Sequence, residues 1–444
     1  MIFPIFKQSL GIAVNRNILQ IASIVITALL GLNNELVLAQ FSLALSYAAI
    51  FFIIVSFMQL GLQPELSKFY AQKDYKALLR LFYVTVICIF CLSALLTLKL
   101  WLSPNPFSQS DINLKSEAFN ALRILAISLP FVGLLTTITY FLESTGESNK
   151  VTKLRIMQFF LQITLVSLTL WIKPGQYSGL GISEVSWVAS AYVLSDIMMF
   201  GIGLILLLYQ KINLKGSFLI KDNQFMINEI KKIIKFGLPV MLGVVGQKTI
   251  FYICTGYCST LGVWQTFAFT VMNSIVLLLQ IPLTGLSSLL TIKISFLRGE
   301  NKFFELKELT KKYIHLYMAE GIVIALSLFF FYSEIISLFT TDSLVIQNMI
   351  TLKPYITLFF VMNLILTFNM GALRGFSDNV TPQIIILIIL SCGVLPWIFL
   401  PLNINLSQLI TFFVVSGVTA SLILMIRLKK NINQQIIKEK SWWG

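Results

Sequence analysis

Four ionisable side chains interrupt long apolar stretches of this chain: Arg16, Asp196, Lys248 and Glu320. An ionisable group within membrane-spanning sequence is costly and marks ion or substrate handling by default. A carboxyl in such a place can carry a proton or balance a cation. A guanidinium or ammonium can hold an anion. Asp196 is central in its stretch, Lys248 is central in another, and Arg16 is flanked by Asn15, Asn17 and Gln20. With two cations against one central acid, the predicted site is net positive and suits an anionic or neutral substrate better than a cation. Plainer roles stay open for each: Arg16 snorkelling to headgroups or pairing with Asp196, and Lys248 facing water without touching substrate.

Other chemistries lack their residues. There is one histidine, His315, and no Gly-x-Ser-x-Gly elbow, metal-ligand motif or P-loop. The expectation is therefore no enzyme, no metal and no cofactor beyond a coupling proton or sodium ion. The five cysteines, Cys88, Cys91, Cys254, Cys258 and Cys392, have no histidine or acid beside them and read as small apolar thiols.

The elements that must hold these residues follow from composition. Of 444 residues, 57% are hydrophobic and 12% charged, with a mean hydropathy of +0.84. A soluble domain carries about 25% charged residues. Much of this chain must therefore be solvated by lipid, and the 36 phenylalanines suit a lipid-facing surface. Residues 17–34, 36–64, 81–98, 124–142, 156–172 and 354–373 contain no Asp, Glu, Lys or Arg. Stretches 249–292 and 379–426 are each long enough for two crossings at roughly 20 residues per span. Helices are required, because lipid offers unpaired backbone groups no partner.

The pattern predicts an all-α polytopic membrane protein of about twelve spans: 8–31, 36–61, 80–101, 119–142, 154–173, 185–209, 235–260, 264–290, 313–339, 353–373, 383–400 and 406–427. With the N-terminus inside, 26 of the 33 Lys and Arg fall in inner segments and five in outer ones. That asymmetry predicts a multi-pass protein of the plasma (inner) membrane with both termini cytoplasmic. It also accounts for the net charge of +14 without nucleic acid. The expected partners are a small-molecule substrate and the bilayer, and the chain reads as a monomer. No cleavable signal peptide is evident.

Landmarks recur between the two halves. Gly31 ends the first span and Gly262 follows the seventh, Gly61-Leu62 matches Gly285-Leu286, and Leu142-Glu-Ser-Thr-Gly-Glu147 matches Leu373-Arg-Gly-Phe-Ser-Asp378. The offsets are 231, 224 and 231 residues. The predicted organisation is a six-helix lobe over 1–209, a cytoplasmic linker over 210–234, a second six-helix lobe over 235–430 and a cytoplasmic tail over 431–444. Repeats of this kind share one orientation and place a substrate site between the halves near the midplane.

The segments FGLPVMLGVVGQ (236–247), GALRGFSDNVTP (371–382), SLPFVGLLTTITYFLESTGESNK (128–150) and GLGISEVSWVAS (179–190) carry a resemblance. They resemble the multidrug and toxic compound extrusion (MATE) family of exporters. The resemblance covers nearly the whole chain, and the 371–382 motif is its more specific part. It implies a secondary active exporter working by alternating access. It also implies three coupling positions, which in the family are acids and here are Ser23, Gln247 and Asn363. All three are neutral, so the coupling residues are atypical, and each is expected at mid-depth inside a lobe. The segment 32–62 also resembles the start of oligosaccharide-lipid flippases of the same superfamily, so a lipid-linked or other anionic lipid-like substrate is the alternative. Pro239, Pro282, Pro354 and Pro396 are expected to bend spans. Tyr140, Phe251, Tyr252 and Phe360 are candidate cavity walls or plain packing.

Overall fold

A computed structural model gives the architecture. It describes the chain except residue 1, scattered positions between 58 and 71, and residues 108–111, 173–182, 210–222, 300–302, 377, 379, 400–403 and 443–444; side chains of 2–16, most of 223–240, 434–442 and a few isolated positions are also outside the description. The described chain is helical: α1 Ile2–Asn33, α2 Glu35–Phe57, α3 Tyr75–Leu102, α4 Ile112–Ala126, α5 Ser128–Ser144, α6 Ser148–Trp171, α7 Glu184–Leu208, α8 Asn223–Leu261, α9 Val263–Gly299, α10 Phe303–Phe330, α11 Tyr332–Ser337, α12 Ser343–Thr351, α13 Lys353–Gly375, α14 Val380–Phe399 and α15 Leu406–Trp442. Among the described residues, ten segments are long and apolar enough to cross a membrane. The other two expected spans, 8–31 and 235–260, fall on α1 and α8.

Lipid as solvent explains which side chains turn outward. On α3, Ile87, Phe90, Leu95, Leu98 and Leu102 are exposed, while Leu78, Leu81, Phe82, Thr85, Ile89 and Ser93 are buried. A water-soluble helix reverses this, exposing its polar face.

The structure refines several expected boundaries. The span expected at 119–142 is two helices, α4 and α5, broken at Ile127. Pro130 supplies no N–H to the carbonyl of Ala126, so that oxygen loses its helical partner. Thr97 of α3 donates to it instead, at 2.9 Å. Pro354 starts α13 rather than interrupting a span, a position where proline removes no helical bond. Pro282 and Pro396 do lie inside helices. Part of the expected linker, residues 210–222, is outside the description, and α8 begins at Asn223, within the linker's remainder. The segment expected as a tail continues α15 to Trp442.

The chain divides into two compact units: one holds Met1–Asn33 with Phe267–Gly444, the other Asn34–Thr266. This grouping differs from a division at 210–234, because α1 goes with the second half and α8 with the first. In the Asn34–Thr266 unit, Gln59 binds the fourth span: Nε2 donates to the carbonyl of Gly133 at 3.0 Å, and Thr137 Oγ1 donates to its Oε1 at 2.7 Å. Gly133 is required there, since a Cβ would lie 2.4 Å from Val55 Cγ1. In the other unit, Ser287 and Thr291 of α9 donate to the carbonyls of Thr367 and Gly371 in α13, at 2.9 and 2.7 Å. The repeat is visible atom by atom at the following turns. Glu147 N–H donates to Leu142 O at 2.9 Å, and Asp378 N–H donates to Leu373 O at 3.1 Å.

The 371–382 motif has a structural task. Asp378 accepts from Arg427 Nε, while Arg427 Nη2 donates to Thr381 Oγ1 at 2.9 Å. The α13–α14 turn is thereby tied to α15. Burial pushes the Asp378 carboxyl up, but the bonds from Arg427 and Thr381 and the Arg427 charge outweigh this and hold it below the usual carboxylate range. A depressed native value means this stabilisation is present at neutral pH and is lost as pH falls through that value. Asp378→Asn is expected to cost about 1 kcal/mol at pH 7. In thermal unfolding, the gap from the unmutated protein should close as the pH falls below about 4.

Candidate functional site: a buried carboxyl with one partner

Asp196 lies on α7, 2% exposed. Its surroundings come from three helices of the Asn34–Thr266 unit. Tyr192 precedes it by one turn on α7, and Gln158 and Gln162 lie one turn apart on α6, so each pair shares a helix face. Gln158 Nε2 donates to Asp196 Oδ1 at 3.1 Å. Gln162 and Ser128, at the start of α5, flank the same carboxyl. Ser128 commits its hydroxyl hydrogen to Leu125 O at 2.9 Å, which leaves its oxygen free to accept. Oδ2 of Asp196 is fully buried and has no hydrogen-bond partner. A buried ionised oxygen without a partner is costly. A protonated Oδ2 converts the deficit into a donor among groups able to accept.

The sequence pointed to Asp196 and not to its neighbours. The available signal was the Gln158/Gln162 pair, two amides at helical spacing in the charge-free stretch 156–172.

The remaining candidates are distributed as follows. Lys248 on α8 is exposed, its Nζ 6.0 Å from the Phe251 ring centroid. Met241 and Thr255, seven residues away in each direction and on nearly the same face, are both buried. Tyr252, one turn on, packs against Tyr47 with centroids 4.7 Å apart. Lys248 is thus exposed between two buried positions of its helix, with half-buried neighbours one turn either side. Its neighbour Gln247 is half-buried. In the other unit, Ser23 and Asn363 are half-buried. The Ser23 carbonyl accepts from Thr27 Oγ1 at 2.9 Å, and Asn363 Nδ2 donates to Phe359 O at 2.9 Å. Arg16 lies in α1, and its side chain is outside the described residues. Phe360 is fully buried packing; Tyr140 and Phe251 are half-buried. No group of three or more potential metal ligands occurs among the described residues.

The family model MatE matches residues 12–168 and 239–399. The chain belongs to the MatE family. Members of this family are transporters rather than enzymes. Among curated relatives, this MatE chain is 26% identical over 246 residues to the "Probable multidrug resistance protein YoeA" of Bacillus subtilis (strain 168), covering 53% of this chain and 52% of that protein. It is 30% identical over 162 residues to the "Probable multidrug resistance protein NorM" of Listeria monocytogenes, covering 36% and 35%. The chain thus matches about half the length of the first relative and about a third of the second.

Solved structures give the fold. One described as the inward-facing conformation of a multidrug resistance MATE family transporter of the MOP superfamily superposes with a TM-score of 0.78 at 14% identity, over 93% of this chain and 94% of that one. A MOP superfamily transporter from Pyrococcus furiosus, described as having a binding pocket of reverse polarity, superposes with a TM-score of 0.66 at 16% identity, over 97% and 96%. The fold is the twelve-helix MATE architecture of a multi-pass membrane protein.

The Gln158–Asp196 bond can be isolated from its surroundings. Gln158→Leu, which leaves neither carboxylate oxygen partnered, should destabilise the protein by about 1–3 kcal/mol. In an Asp196→Leu background the same change should cost much less. A double-mutant cycle by denaturation in detergent measures the difference, and equal costs in both backgrounds would show that the pair does not interact.

Proposed function

We propose that this protein is a secondary active transporter that exports a small organic compound by alternating access, with Asp196 as the proton carrier. The observation that carries this reading is the half-partnered carboxyl, fully buried and held by an amide rather than by a cation. A guanidinium partner would keep a carboxylate ionised, whereas an amide accommodates either form. The two named relatives are both described as probable multidrug resistance proteins, which supports export of small molecules. Ser23, Gln247 and Asn363 cannot exchange a proton, so the coupling role passes to another acid. A proton suits Asp196 better than sodium, since a proton needs one acceptor and a metal ion needs several oxygens. The basic residues on alternate segments support an inner-membrane location with both termini in the cytoplasm. We take the chain to act as a monomer.

The test is transport in proteoliposomes. Asp196→Asn should abolish flux driven by an imposed pH gradient and preserve counterflow exchange of a loaded dye such as ethidium. Undiminished driven flux in this variant would remove Asp196 from the mechanism.

A second reading concerns the substrate, and Lys248 favours it. Lys248 is an exposed residue of α8 and has no ion pair among the described residues. Together with Arg16 and the three neutral positions, it favours an anionic substrate, including the phosphate of a lipid-linked sugar. The binding pocket of reverse polarity ascribed to the Pyrococcus furiosus transporter is a precedent within the same fold. Arg16→Gln with Lys248→Gln should weaken binding of an anionic dye by tenfold or more, about 1.4 kcal/mol, and leave a cationic dye nearly unchanged. Loss of cation transport in the double variant, with no anion binding by the unmutated protein, would reverse the assignment.

A further inference from the structure

Two carboxylate oxygens among the described residues are buried without a hydrogen-bond partner: Oδ2 of Asp196 and Oε2 of Glu320. The second lies in the Phe267–Gly444 part of the chain, in the other unit. Glu320 sits on α10, three residues after Tyr317, so the two share a helix face. Tyr317 is 1% exposed, and its phenolic oxygen is also buried and unpartnered. One helix face thus carries a buried phenol and, beside it, a half-buried glutamate whose inner oxygen has no partner.

The neighbouring elements explain why nothing else satisfies them. The Tyr317 ring packs on Phe368 of α13, with centroids 5.1 Å apart. Thr367 of α13 is the polar side chain beside the phenol, but the phenolic oxygen closes no bond to it. Gly321 faces Leu364 so closely that a Cβ would lie 1.8 Å from Leu364 Cδ1, which closes the interface beside Glu320. The helices packed on α10 are α13, α15 and the short α11. The charged residues of α13 are Lys353 and Arg374, at its two ends. On α15 the first is Arg427, which is engaged with Asp378. Glu334 on α11 bonds Ser333, and His315 on α10 bonds Lys311 O, both away from Glu320 in exposed surroundings. No described cation sits against Glu320.

A carboxylate in this position lacks a counter-charge, and its buried oxygen lacks a donor. Binding one proton removes the charge. The two groups are not bonded to each other in this structure, so their side chains must turn toward one another: the new O–H then has an unused phenolic oxygen one turn away to donate to, and after release of the proton the phenol O–H can donate to the carboxylate. We infer that Glu320, with Tyr317 beside it, is a second proton-binding site of this protein. Tyr317 acts as its switching hydrogen-bond partner, a positioning residue rather than a carrier. A metal ion fits poorly, because two oxygens do not make a cation cage. The inference does not depend on Asp196 being the coupling carboxyl; the two sites lie in different units and are separately testable.

The test reads the proton directly and needs no substrate. The purified protein in lipid nanodiscs is taken between alkaline and acid pH while infrared difference spectra are recorded in H2O and D2O. A protonated carboxyl in apolar surroundings has a C=O stretch apart from ionised acids and the amide backbone, and it shifts when the proton exchanges for deuterium. The unmutated protein should show two such titrating components. Glu320→Gln should remove one and leave the other, and Asp196→Asn should do the reverse. Tyr317→Phe should keep the Glu320 component but shift its frequency and titration midpoint. If Glu320→Gln yields too little folded protein, Glu320→Asp should displace the component instead of removing it. A spectrum unaltered by either Glu320 substitution would overturn the inference, as would a Glu320 component insensitive to D2O. Loss of only the Asp196 component from the expected pair sinks the proposal about Asp196 and leaves this one standing.

Discussion

Lipid offers no hydrogen-bond partner, and every polar group in the spanning helices is placed under that constraint. Most hydroxyls meet it locally, by donating to a carbonyl three or four residues back on their own helix: Thr85 to Leu81, Ser93 to Ile89, Thr310 to Leu306 and Ser421 to Gly417. A few meet it across helices and so fix helix positions, as Gln59 does with Gly133 and Thr137, and Ser287 with Thr367. Against that background an unsatisfied buried carboxylate oxygen is an exception. Asp196 and Glu320 are where the described chain makes it.

The same constraint explains what the sequence could reveal. Because a charge is so costly in a span, gaps between charges delimit helices, and α2, α3, α6, α13 and α14 appear close to where charge-free stretches predict them. Breaks within a span were not legible in that way. The interruption at Ile127 has a local mark in Pro130, but that the span breaks there depends on Thr97 of another helix taking up the carbonyl Pro130 leaves free. The halves were legible as a repeat, down to the paired turns at Glu147 and Asp378. Their grouping was not, since assigning α1 and α8 depends on packing between segments distant in sequence.

The candidate site divides along similar lines. Asp196, Lys248 and Glu320 could be found as ionisable residues in apolar sequence. Gln158, Gln162 and Tyr317 could not be ranked, because an amide or phenol in a span is ordinary until its neighbour is known. The family resemblance directed attention to Ser23, Gln247 and Asn363. The bonds seen there, Thr27 to the Ser23 carbonyl and Asn363 to Phe359 O, are within single helices and carry no charge.

Two acids of this chain show how a partner decides what a carboxyl can do. Asp378 meets a guanidinium that holds it ionised, and the result is a fixed tie between a turn and α15. Asp196 meets an amide, which donates a hydrogen bond but brings no charge. Exchanging those partners would exchange the roles. An arginine at Gln158 would lock Asp196 as an anion and make it structural, whereas a glutamine at Arg427 would release Asp378 to titrate in the ordinary carboxylate range. The capacity to change charge thus lies less in the acid than in the neutrality of what touches it. In a span, where water cannot compensate, that neutrality must be built from amides, hydroxyls and phenols.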